Sequence, residues 1–169
     1  AAFECQLPLA VAFSGGPDST ALLLGCMRKW PGRVRAIHVH HGLQAAADDF
    51  ARHCQGFCAH AGLPLIVCRV DGGHSPGQSP EDAARIARYA GLRAALAENW
   101  VDDPTRSLLL GHHADDQVET LILAVSRVAG LPGLSAMPAH WTRDGIDYYR
   151  PLLSESGAAI RTWLDAQGV

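Results

Sequence analysis

Two polar runs in the sequence combine residue types and spacings suited to chemistry on a phosphate. The first, Ser14-Gly15-Gly16-Pro17-Asp18-Ser19-Thr20, directly follows the apolar run Leu9-Ala10-Val11-Ala12-Phe13 and opens a helical pattern. Consecutive glycines let a backbone turn tightly and approach an anion with no Cβ in the way. The unpaired N–H groups at the start of the following helix, together with its dipole, favour phosphate at the same point. Ser14, Ser19 and Thr20 add hydroxyl donors. Asp18 is discordant: a carboxylate beside phosphates is repelled unless a cation lies between them, so the loop predicts Mg²⁺ near Asp18. A bare glycine turn with a capping residue would explain the glycines alone, but not this whole run between a strand and a helix. The run has neither the lysine-bearing GxxxxGK[ST] pattern nor GxGxxG.

The second run, Gly111-His112-His113-Ala114-Asp115-Asp116-Gln117-Val118-Glu119-Thr120, follows another apolar run. Asp115 and Glu119 are four apart and share a helical face. His112 or His113 is suited to orienting a phosphate or substrate, and Asp115 to holding magnesium opposite Asp18. Asp116 and Glu119 have capping-box spacing with Asp116 as the cap, so Asp116 is read as mainly structural. Capping does not account for two histidines placed before two aspartates.

The surrounding pattern says what brings the two runs together. Residues 9–13, 34–39, 65–70 and 107–110 read as short, nearly continuous apolar strands, and 19–28, 45–61, 81–99 and 117–128 as the helices that follow them. Strands of this kind are buried on both faces, so the expected fold is α/β, a doubly wound, Rossmann-like parallel sheet with helices on both faces. Ligands of such sheets sit at the carboxyl ends of the strands, where both polar runs fall. Residues 71–80 read as a surface loop, 148–153 as a last strand and 158–167 as a terminal helix.

Composition sets further bounds. With 169 residues, 48% of them hydrophobic, and a net charge of −3, the chain reads as one well-cored domain and not a disordered one. No apolar run reaches the roughly 18 residues of a membrane span, and the first residues lack the basic region of a secretory signal. With 14 Lys+Arg against 17 Asp+Glu, the chain is not a general nucleic-acid clamp. Arg28, Lys29, Arg33 and Arg35 form its one local basic cluster read from sequence, more in keeping with a solvated edge. Five cysteines without a CxxC pair fit a reducing compartment, and a cytoplasmic location is expected.

At the first run the chain resembles a known family. SGGPDST is similar to the PP-loop signature of the N-type ATP pyrophosphatases, which have an adenine nucleotide alpha hydrolase-like fold and cleave ATP between its α- and β-phosphates. Further pieces come in the order found in tRNA(Ile)-lysidine synthetases: His38-Val39-His40-His41-Gly42-Leu43, Arg85-Ile86-Ala87-Arg88-Tyr89, the run from His112 to Thr120, Gly130-Leu131-Pro132-Gly133-Leu134, and Arg150-Pro151-Leu152-Leu153. The resemblance spans residues 9–167 and implies a ligase that uses ATP and Mg²⁺. Its partners would be L-lysine and a tRNA(Ile) carrying a CAU anticodon, with no membrane and a homodimer left open. It implies nucleotide binding by Ser14, Gly15, Gly16, Pro17, Asp18, Ser19, Thr20, His38, His40 and His112. It also implies catalytic roles for Asp18, Asp115, Arg85, Arg88 and His113, with Asp18 and Asp115 on the metal. Residues 1–169 then form the PP-loop adenylation domain, the family's carboxy-terminal tRNA-binding domains being absent from this chain.

Two departures from the family pattern bear on that expectation. Val128 replaces a glycine after the fourth helix, and Gly157 stands in the segment where the family carries an arginine. Two rival readings are a PP-loop tRNA thiolase and a nucleotide-binding fragment without turnover. The cysteine positions weigh against the first, and the missing arginine favours the second.

Overall fold

Alternation along the first strand, β1 (Leu9–Ala12), sorts its side chains between two layers. Leu9, Val11 and the following Phe13 enter one core with Leu22, Leu23 and Cys26 of α1 (Pro17–Lys29) and Cys54 and Cys58 of α2 (Ala45–His60). Ala10 enters the opposite core with Leu92, Ala95 and Leu96 of α3 (Pro80–Glu98). Helices therefore cover both faces of the sheet, as its apolar strands require. The computed structural model describes residues 3–42, 45–71, 79–126 and 136–169. Most of the 71–80 loop, the Val128 departure and the 130–134 turn lie outside the described residues.

The remaining elements are β2 (Val34–His40), β3 (Leu65–Arg69), β4 (Ser107–Leu109), α4 (Ala114–Ser126), β5 (His140–Arg143), β6 (Ile146–Tyr149) and α5 (Gly157–Asp165). The strands form one sheet in the order β3-β2-β1-β4-β6-β5. From β1 the chain winds outward through β2 to β3, then crosses back to β4 on the other side of β1. That reversal opens a crevice between the carboxyl ends of β1 and β4. Among the described residues, no helix is long and apolar enough to cross a membrane.

The parallel sheet expected from sequence carries one correction: β5 and β6 form an antiparallel hairpin at its edge. Asp144 and Gly145 have φ of 53° and 75°, the paired positive angles of a type I′ hairpin turn. The expected last strand at 148–153 lies earlier, at Ile146–Tyr149. Pro151 has no N–H to extend a ladder, and residues 151–154 form a turn. Helix α4 also starts earlier than expected, at Ala114, which makes His113 and not Asp116 its cap.

Candidate active site

Both polar runs meet in a cavity of about 590 Å³ at the carboxyl ends of β1, β2 and β4. Its walls include Ser14, Gly16, Asp18 and Ser19 from the first run and Gly111, His112 and Asp116 from the second. Its apolar side is built by Ile37, Phe50, Leu92 and Leu110.

The first loop is held in shape by its own hydroxyls. Ser19 Oγ accepts from Ser14 N–H at 3.2 Å and lies 3.1 Å from the Gly16 carbonyl. Thr20 Oγ1 donates to that carbonyl at 2.8 Å. Ser19 and Thr20, expected to be phosphate donors, thus serve first as struts for the loop. The donors left over are backbone ones: Gly16 caps α1 without a side chain and Pro17 opens the first turn, so no side chain covers this helix terminus. Gly15 sits at φ +82°, and a Cβ there would stand 3.0 Å from His53 Cδ2 and 3.2 Å from Cys54 Sγ.

Gly111 sets how closely the two runs approach. A Cβ on it would lie 3.2 Å from Ser19 N and 3.3 Å from Ser19 Cα, which are backbone atoms that cannot swing aside. Gly111→Ala is expected to push α1 off the end of β4 and cost about 1–3 kcal/mol, read as a lower Tm, with weaker ATP binding by calorimetry. An unchanged Tm would show that the two segments have slack.

His113 lies where the runs touch. Its Nδ1 accepts from Asp115 N–H at 3.2 Å, capping α4. The neutral ring therefore carries its proton on Nε2, which lies 3.6 Å from Asp18 Oδ1 and 3.7 Å from Asp116 Oδ2. Asp116 also accepts from His113 N–H at 2.8 Å, the return bond of a capping box, while its carboxylate remains on the cavity wall. Asp115 is directed elsewhere: its Oδ2 accepts from Gly157 N–H at 3.1 Å and ties α5 to α4. Asp18 Oδ1 is buried with no hydrogen-bond partner while the side chain as a whole is 31% exposed, which leaves the carboxylate able to meet a cation.

His38, His40 and His112 all line the cavity, and each is also held by the fold. His38 Nδ1 lies 2.9 Å from the Phe13 carbonyl and donates to it, and burial lowers its pKa. His40 donates from Nε2 to Asp48 at 2.9 Å and accepts from Gly42 N–H at 3.1 Å, so both its nitrogens are committed within the fold. His112 accepts from Arg150 Nε at 3.3 Å. Burial pushes its pKa down to about 4; the Arg150 charge adds to this, Asp116 opposes it, and Arg88 and His113 reinforce it.

Between pH 6.5 and 4 the unfolded chain thus binds a proton at His112 that the folded chain refuses. Stability is expected to fall as pH drops through that window, with His38 and His41 acting in the same direction. Tm against pH measures it, and His112→Gln should flatten the slope; an equal slope would place the proton elsewhere.

A PP-loop domain family matches residues 5–169, nearly the whole chain. The chain belongs to the PP-loop family. A tRNA(Ile)-lysidine synthase of Polaromonas naphthalenivorans is 59% identical over 97% of this chain and 49% of its own length. One of Methylococcus capsulatus is 45% identical over 94% of this chain and 36% of its own. The PP-loop chain thus spans about half, or less, of the length of the curated relatives it matches. Among solved structures it is similar in fold to a U34-tRNA thiolase from Methanococcus maripaludis, with a TM-score of 0.73 at 18% identity over 95% of this chain and 57% of that one. It is also similar to an NAD synthetase from Campylobacter jejuni, with a TM-score of 0.59 at 13% identity over 98% and 66%.

Within this PP-loop site, the two arginines named from sequence part company. Arg88 lines the cavity and makes no hydrogen bond or ion pair among the described residues. Arg85 pairs with Asp82 at 3.2 Å and lines a different basin. The arginine missing at Gly157 has a spatial counterpart: Arg161 Nη1 lies 3.2 Å from where a Gly157 Cβ would stand, and Asp115 Oδ2 2.9 Å from it. Sequence reasoning passed over Arg150, which is buried and bonded to His112, Tyr89 and the Pro138 carbonyl. Its RPLL context was visible, but nothing in sequence tells a buried arginine from a solvated one.

Proposed function

We propose that the chain is the adenylation domain of a tRNA(Ile)-lysidine synthetase, transferring AMP from ATP to the wobble cytidine of a CAU-anticodon tRNA(Ile) and then replacing it with L-lysine. The observation that carries this reading is the meeting of the uncapped α1 terminus, the Asp18 carboxylate with its unbonded Oδ1, and Asp116 in one cavity. The curated relatives support it.

ATP fits the cavity with its phosphates at the α1 N–H groups and its adenine against Ile37, Phe50, Leu92 and Leu110. Magnesium fits the donor set: Asp18 Oδ1 lacks a partner and Asp116 stands across from it. Among the described residues no cluster of three or more protein ligands is assembled, and Mg²⁺ in phosphate sites is held by one or two carboxylates with phosphate oxygens and water. When bound, it neutralises charge on the triphosphate and orients it. The chain's own residues do the rest. The loop amides hold the phosphates, and Arg88 faces the charge that builds as the cytidine O2 attacks the α-phosphorus and pyrophosphate leaves. His113 Nε2–H spans the two carboxylates and keeps them apart. In the second step Asp116 holds the lysine ammonium and accepts a proton from it; the free ε-amine then attacks cytidine C2, the C2–O2 bond breaks, and AMP departs with that oxygen.

A thiolase would need reactive sulfur. Here burial raises the thiols of Cys54 and Cys58 to about 11 and Cys26 to about 12, so they remain protonated and inert. The test is pyrophosphate release from ATP with lysine and the CAU stem–loop, against each omitted in turn. Release that depends on RNA, with lysidine in the product, supports the reading; ATP binding without release makes the chain a nucleotide-binding module.

A further inference from the structure

A second basin, of about 290 Å³, opens between α3 and the β5–β6 hairpin, and neither the nucleotide nor the lysine described above uses it. Arg85, Arg93, Arg143 and Arg150 line it together with Trp141 and Tyr148. Two carboxylates face these four guanidiniums: Asp82 pairs with Arg85, and Asp144 lies 2.8 Å from Arg93 and 3.6 Å from Arg143. The basin therefore keeps an excess of positive charge on a chain whose net charge is −3.

Tyr148 supplies the second, independent observation. Its side chain is 1% exposed and its hydroxyl has no hydrogen-bond partner. Trp141 stacks on its ring at 4.8 Å, and Tyr89 meets it edge-on at 5.8 Å, so the side chain is held in place. A buried, unpaired hydroxyl facing guanidiniums is a donor waiting for an oxyanion.

We propose that this basin binds a backbone phosphate of the RNA substrate, with the Tyr148 hydroxyl and the Arg93 and Arg143 guanidiniums donating to its oxygens. The inference rests on the RNA-modifying reading given above. Nucleic acid is favoured over an acidic peptide by the mixture of arginine and aromatic side chains, and by continuity with the nucleotide cavity. Arg150 lines the basin and joins it to the cavity, bonding to His112 of the cavity wall and to Tyr89 of the basin wall. Three of the four residues of the basic cluster read from sequence are otherwise engaged: Arg28 lies over Trp163, Lys29 over Trp30, and Arg35 pairs with Asp103.

Fluorescence anisotropy with a labelled CAU anticodon stem–loop tests this on the whole chain, with inorganic phosphate and polyglutamate as competitors and Arg33→Ala as a control away from the basin. Tyr148→Phe removes only the hydroxyl and should weaken RNA binding about tenfold, while Tm stays level or rises because an unpaired buried group has gone. Arg143→Ala should weaken binding and lower the salt dependence of binding by about one ion. RNA affinity unchanged in both variants overturns the assignment. So does competition by phosphate alone as effective as by RNA, which would make this a small-anion site, or equal competition by polyglutamate, which would make it a peptide site. If the wild-type chain makes lysidine while both variants bind RNA normally, only the basin falls. If it neither binds the stem–loop nor releases pyrophosphate, the functional reading falls with it.

Discussion

Asp18→Asn is expected to lower magnesium-dependent pyrophosphate release by about a thousandfold, the scale on which a single preorganised electrostatic group acts in a transition state, while leaving Tm unchanged or raised. The opposite signs follow from geometry. Asp18 Oδ1 is buried without a hydrogen bond, and His113 Nε2 stands 3.6 Å from it. Removing that charge costs the fold no hydrogen bond at Oδ1 and deprives the cavity of the carboxylate proposed to hold the cation. Turnover that survives the Asp18→Asn change would end the metal assignment; a collapse of Tm with it would make Asp18 structural.

Asp116→Asn should lower pyrophosphate release about a hundredfold with little loss of stability, because the amide oxygen still accepts from His113 N–H. Asp115→Ala should do the reverse. It removes the acceptor for Gly157 N–H, at a cost of about 1 kcal/mol read as a lower Tm, and changes turnover only modestly. Thermal melts and steady-state assays on both variants decide the matter, and a larger kinetic loss from Asp115→Ala than from Asp116→Asn would return the metal role to Asp115. The sequence alone favours Asp115. The reason is a boundary: with Asp116 as cap, its carboxylate is occupied and Asp115 is free. With α4 beginning at Ala114, both fall in the first turn about 100° apart, and only Asp116 faces the cavity.

The buried half of the fold was legible because apolar runs at 9–13, 34–39, 65–70 and 107–110 leave few alternatives, and each became a strand with nearly the expected bounds. The β5–β6 hairpin was missed although Asp144-Gly145 is a strong turn signal. Its first strand, His-Trp-Thr-Arg, is mostly exposed and carries no apolar alternation to mark it. In the site, the glycine loop was legible from residue type alone. What stayed hidden depended on packing: the commitment of Ser19 and Thr20 to the loop, the tethering of Asp115 to α5, and the departure of Arg85 into another basin.

Arg150 distributes its donors among His112, Tyr89 and the Pro138 carbonyl, and its guanidinium lies 4.2 Å from the centre of the Trp141 ring. One guanidinium in the basin wall therefore holds an imidazole in the cavity wall. An anion in the basin that drew this guanidinium outward would loosen its hold on the His112 imidazole. Any coupling made this way is reciprocal: the factor by which an anion in the basin changes affinity in the cavity is the factor by which a cavity ligand changes affinity in the basin.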